Sequence, residues 1–63
     1  MTIDQARQLL FAQATFASTY NRRCAKKILA EINRDHGQEV VDELIRQLNL
    51  TTTFDFHPGD RFG

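Results

Sequence analysis

Apolar residues recur at helical spacing through the first half of the chain. On a helical wheel of about 100° per residue, one stripe stays within about 40° of a single direction. Its members are Ile3, Ala6, Leu10, Ala14, Ala17, Cys24, Ile28 and Ile32. Because a loop normally disturbs this phase, the stripe predicts one long helix over about residues 2–35. The pattern from Thr2 to Gln5 is typical of a capping box at its start.

The alternative is a break near residues 18–21, which would give three helices in place of two. The residues Ser18 to Asn21 are weak helix formers, so the local composition favours an interruption there. The periodicity and the composition therefore point in different directions, and both arrangements stay open.

A second apolar stripe follows Gly37, which can take the left-handed conformation that closes a helix. It contains Val41, Leu44, Ile45 and Leu48 and predicts a short helix over about residues 38–49. With a single glycine between them, the two helices should form an antiparallel hairpin. We therefore predict an all-α fold, with residues 1–50 as the helical domain.

Residues 51–63 are predicted to form an extended aromatic tail, docked on the helices or on a partner. The segment from Thr51 to His57 is rich in residues that favour extended backbone. Pro58 and Gly59 fit the central positions of a type II turn. Such a tail could reach back along the first helix toward Phe11 and Phe16.

Length and charge narrow the class of protein. A chain of 63 residues with one cysteine cannot form an internal disulfide, and so small a domain is of marginal stability alone. Residues 1–34 carry six Lys or Arg and two Asp or Glu, and residues 35–63 carry the reverse. The zero net charge thus hides a dipolar molecule, and such molecules associate with themselves or with charged partners.

The sequence contains no catalytic signature. Cys24, Asp35, His36 and His57 are the only residues that suggest metal or nucleophilic chemistry, and their spacing does not resemble a zinc site. We therefore expect no enzyme activity, no cofactor, no metal and no small-molecule substrate. No signal peptide or membrane span is apparent, so a cytoplasmic location and no membrane contact are expected.

The first functional prediction is a small protein–protein interaction module. A second helix of about 18 Å covers roughly a third of a first helix of about 50 Å, which leaves apolar surface for a second copy of the chain. We therefore expect a homodimer, and another protein as a further partner. The predicted protein-binding residues are Leu10, Ala14, Ala17, Phe54, Phe56 and Phe62.

The alternative prediction is a nucleic-acid-binding accessory protein or small regulator. Arg22, Arg23, Lys26 and Lys27 place four cations within one and a half helical turns, where they could contact phosphates or an acidic protein. Such a group could equally be a solvated helix face. The neutral net charge makes nucleic acid the less favoured partner.

Overall fold

The computed structural model describes residues 1–62; Gly63, the last residue of the predicted tail, lies outside the described residues. Four helices occupy this part of the chain, and the predicted all-α fold is confirmed. They are α1 (Ile3–Phe16), α2 (Thr19–His36), α3 (Gln38–Gln47) and α4 (Leu50–Phe54). Helix α1 contacts α2 and α4, and α3 also contacts α2 and α4. No helix in the described residues has both the length and the apolar character needed to span a membrane.

Helix α1 begins as predicted, with a complete capping box. The Gln5 backbone N–H donates to the Thr2 hydroxyl at 3.1 Å, and the Thr2 N–H donates to the Gln5 side-chain oxygen at 3.0 Å. Asp4 lies in the first turn, where its charge suits the positive end of the helix.

The continuous helix over residues 2–35 is wrong, and the alternative of a break is correct. Ala17 takes the left-handed conformation (φ 52°, ψ 27°) and ends α1, and Ser18 caps α2. The Ser18 hydroxyl accepts the Asn21 N–H at 3.2 Å, and Asn21 donates to the Gln13 side chain at 2.8 Å. These bonds replace the helical ones that a continuous helix would make, so the chain folds back over dimensions of 26 × 20 × 20 Å.

The break also changes which residues of α2 face the core. Ala25, Leu29 and Ile32 are fully buried, whereas Cys24 and Ile28 of the predicted stripe are only partly buried. Because α2 starts again at its own cap, its phase is no longer linked to that of α1. Its inner face is therefore rotated from the one that the continuous stripe predicts.

Gly37 joins α2 to α3 as predicted. Its φ of 94° favours glycine, but its ψ of 170° differs from the left-handed helix-closing conformation that was expected. Its N–H donates to the Asn33 carbonyl at 3.0 Å. Helix α3 then buries Val41, Leu44 and Ile45 on the core side.

The prediction of extended backbone from Thr51 is wrong as far as Phe54, where the chain forms α4. Asn49 and Asp55 bracket this helix in the left-handed conformation (φ 55° and 61°). Leu50 and Phe54, one turn apart, are both buried. Their burial in the core outweighs the preference of three consecutive threonines for extended backbone.

The core is made by all four helices and the segment after them. Its buried members are Ala6, Leu10, Ala25, Leu29, Ile32, Val41, Leu44, Ile45, Leu50, Phe54 and Phe56. Phe56 lies between two other rings, with centroids 5.5 Å from Phe54 and 5.1 Å from Phe62. The C-terminal aromatic side chains therefore complete the core of their own chain.

The Pro58–Gly59 turn forms where it was predicted. The Asp60 N–H donates to the His57 carbonyl at 2.9 Å, and Gly59 has a φ of 95°, as a type II turn requires.

Two polar side chains of α3 fix this turn in place by hydrogen bonds. The Asp42 carboxylate accepts the Gln38 side-chain amide at 2.9 Å and the Gly59 N–H at 2.7 Å. Gln38 also donates to the Asp60 carbonyl at 2.9 Å. These donors hold the pKa of Asp42 below its usual range, chiefly through the Gln38 amide.

Candidate interaction surfaces

The turn between α1 and α2 presents two large aromatic side chains to solvent. Phe16 is the last residue of α1 and is 76% exposed, and Tyr20 lies in the first turn of α2 and is 71% exposed. We call this pair the aromatic corner. Leu9, which is 42% exposed, lies on the same flank of α1 as Phe16, because seven residues make about two turns.

Phe11 is also exposed, at 65%, but it lies on a different side of α1. At about 100° per residue, its direction differs from those of Leu9 and Phe16 by about 140° or more. The predicted approach of the C-terminal tail to Phe11 and Phe16 is wrong, because the tail packs against α2 and α3 and leaves both rings in solvent.

The structure divides the predicted protein-binding residues into core and surface. Leu10, Phe54 and Phe56 are buried within their own chain, so they cannot anchor a partner while this fold is intact. Ala14 and Phe62 are partly buried against the core, and Ala17 is exposed at the corner.

Sequence reasoning missed the aromatic corner as a surface. Its signal was the placement of Phe16 and Tyr20 off the apolar stripe, on either side of the capping residue Ser18. Read with a helix break at Ser18, that pattern indicates aromatic residues at a turn without neighbours to cover them.

The predicted basic group is divided by the geometry of α2. Arg22 lies close to the direction of Leu29, on the core side, and its Nε donates to the Phe54 carbonyl at 2.9 Å. Its guanidinium also lies 4.9 Å from the centroid of the Phe56 ring. Arg22 thus connects α2 to the C-terminal segment.

The other three cations of the group are exposed, and they face two directions. Lys26 follows Arg22 by one turn and lies on the side of the C-terminal segment. Arg23 and Lys27 face away from the core. Within residues 1–62, none of these three forms an ion pair, whereas Arg34 pairs with Glu31 at 3.5 Å.

A groove between α2 and the C-terminal segment brings together cations from distant parts of the chain. Its volume is about 380 Å³, and its walls combine three bases, one acid and two aromatic rings. The lining residues are Arg22, Lys26, Phe56, Asp60, Arg61 and Phe62. Arg61 was not part of any predicted site, because its approach to α2 depends on the turn at Pro58–Gly59.

The candidate nucleophile and metal-ligating residues lie apart. Cys24 is partly buried on α2, and its proximity to Tyr20, one turn earlier, raises the pKa of the tyrosine hydroxyl. Among residues 1–62, no three His, Cys, Asp or Glu side chains come close enough to hold a metal ion.

The two histidines have separate partners, one at the N-terminus and one in the C-terminal segment. The His57 ring nitrogen lies 2.9 Å from the Asp55 carboxylate, and that of His36 lies 3.0 Å from the Met1 carbonyl. Asp35 instead pairs with Arg34 at 3.2 Å, a contact that lowers the pKa of its carboxyl.

Comparison with known proteins adds no relative to these geometric observations. No protein-family model, curated protein or solved structure matches the chain.

Proposed function

We propose that this protein is a small, non-catalytic protein–protein interaction module that self-associates through the aromatic corner. The observation that carries the proposal is the exposure of Phe16 and Tyr20 in a domain that buries two of its other aromatic rings. Aromatic side chains are enriched at the centres of protein interfaces, and exposed apolar patches of this kind mark interaction sites.

The exposed area is suited to a weak dimer. With about 200 Å² for each aromatic residue, Phe16 and Tyr20 together leave about 300 Å² of their surface in solvent. Burying that area on both copies removes about 600 Å² from water. This is less than half of a standard interface of about 1,600 Å², so we expect a Kd in the micromolar range or weaker.

The charge distribution supports a second copy of the chain as the partner at the aromatic corner. The first half of the sequence is basic and the second half is acidic, with Glu39 and Glu43 exposed on α3. In a two-fold dimer, any contact between the basic half of one copy and the acidic half of the other occurs twice. Such pairing is favourable at a zero net charge, and it makes association sensitive to salt.

Nucleic acid is the second candidate partner, favoured by the exposed cations Arg23, Lys26 and Lys27. Arg22 is held against the Phe54 carbonyl and the Phe56 ring, so it lies in a groove and does not extend from the helix surface as Arg23 and Lys27 do. The acidic α3 further opposes a polyanion, so we keep the interaction module as the proposed function.

Sedimentation velocity over a wide range of protein concentration tests the proposal. The wild-type chain should shift from monomer toward dimer with increasing concentration, and Phe16→Ser should move that transition at least tenfold higher. Phe11→Ser is the matched control, because it makes the same chemical change on another side of α1. A wild-type chain that stays monomeric at about 1 mM overturns self-association, and equal effects of the two variants overturn the assignment to the corner.

A further inference from the structure

We propose that the groove between α2 and the C-terminal segment binds a small phosphate-bearing ligand. The proposal goes beyond the interaction function above and uses different residues. It begins from the convergence of Arg22, Lys26 and Arg61 on one concavity of about 380 Å³. That volume lies near the lower end of the range for ligand clefts, which favours a small ligand over a polymer.

The electrostatic character of the groove favours an anion. Three bases and one carboxylate line it, and none of the three bases forms an ion pair within residues 1–62. The carboxylate of Asp60 accepts the His57 N–H at 2.9 Å, so it is occupied by the turn. The four charged groups sum to +2, and a bound anion relieves the repulsion among the bases.

Arg22 is held in place before any ligand binds. Its Nε bond to the Phe54 carbonyl and its position over the Phe56 ring fix the guanidinium at the wall of the groove. The N–H groups on its two Nη atoms have no protein acceptor among residues 1–62, and they form the planar fork that matches a phosphate. A donor fixed in advance loses little conformational entropy on binding.

The aromatic wall narrows the class of ligand. Phe62 is partly exposed and lies edge-on to Phe56, with ring centroids 5.1 Å apart and planes at 72°. A flat group attached to the phosphate can rest on the open part of this ring. The arrangement therefore suits a phosphate ester with a planar ring, such as a nucleoside diphosphate, better than inorganic phosphate alone.

Titration of the ¹⁵N-labelled full chain with ADP and with inorganic phosphate, followed by NMR at low salt, tests the proposal. ADP should shift the amide signals of Lys26, Arg61 and Phe62 in a saturable manner, and it should bind more tightly than inorganic phosphate. Lys26→Gln and Arg61→Gln should each weaken ADP binding about five- to tenfold, because each removes one charged donor. Asp60→Asn should strengthen it, since it removes the one carboxylate that residues 1–62 contribute to the groove.

The matched control is Lys27→Gln, which removes the same charge from the neighbouring position on a different face of α2. It should change ADP affinity less than twofold. Equal loss in Lys26→Gln and Lys27→Gln would mean general charge attraction and would overturn the groove as a site. The absence of saturable shifts at about 10 mM ADP would also overturn it. So would a short single-stranded DNA that binds equally well to the Lys26→Gln and Lys27→Gln variants.

Discussion

Replacing Phe56 by leucine tests whether the C-terminal segment belongs to the core. The ring is almost fully buried, and it contacts Phe54, Phe62 and the guanidinium of Arg22. Two aromatic pairs contribute about 0.5–1.5 kcal/mol each, and the cation–π contact contributes about 0.5–1 kcal/mol. Because leucine recovers part of the packing, we expect a loss of about 2 kcal/mol in the free energy of unfolding.

That loss is large for a domain of this size. At about 0.05–0.15 kcal/mol per residue, 63 residues correspond to a total stability of about 3–9 kcal/mol. With a urea m-value of about 1 kcal/mol per molar, the midpoint of unfolding should fall by about 2 M. Urea titration followed by circular dichroism at 222 nm measures this shift directly.

Phe11→Leu supplies the matched control, since it makes the same substitution at a ring that is 65% exposed. Its effect should stay within about 0.5 kcal/mol, as for most surface changes. If Phe56→Leu costs no more than Phe11→Leu, the tail does not complete the core, and the reasoning that places it there is refuted.

Two further predictions concern the turn after α1 and the support of the tail. Ala17→Gly should stabilise the chain by about 1 kcal/mol in thermal unfolding, because alanine pays for its positive φ and glycine does not. The same change at exposed Ala12, inside α1, should destabilise it by about 1 kcal/mol, and a loss at both positions would argue against the left-handed turn. The pKa of Asp42 is lowered by the Gln38 amide and the Gly59 N–H, so its carboxylate stabilises the fold above the unfolded pKa of about 4. That contribution is lost as the pH falls through the lowered pKa. Asp42→Asn should therefore reduce the free energy of unfolding at pH 7 and make its decrease below pH 5 less steep. The same dependence of stability on acid pH in the variant and the wild type would contradict this role.

Local signals correctly predicted the elements that depend on neighbouring residues. The capping box at Thr2, the junction at Gly37 and the Pro58–Gly59 turn all form where expected. Each depends on hydrogen bonds or backbone preferences within a few residues, and these are present in the sequence itself.

The long stripe was misleading because apolar residues of two separate helices fell on one phase by coincidence, although the buried face of α2 is rotated from that stripe. Ser18 and Asn21 already contained the signal for a new helix, since an Asn at the third position can close a cap as Gln5 does for α1. Hydrophobic periodicity does not register such a local hydrogen bond, so it did not predict the break. Helix α4 was missed for the opposite reason, because its threonines favour extended backbone and only burial of Leu50 and Phe54 favours the helix.

The sequence by itself determined the helical class, the start of α1, the junction between α2 and α3, and the separation of charge between the two halves. Only the tertiary structure decided which apolar side chains are surface and which are core. Once the chain turns back at Ala17, the tail aromatics Phe54 and Phe56 fill the interior, and Phe16 is left outside. The groove likewise depends on the turn that carries Arg61 toward α2. The residues that meet in the core and in the groove are far apart along the chain. Their contacts depend on tertiary packing, which a local sequence pattern does not predict.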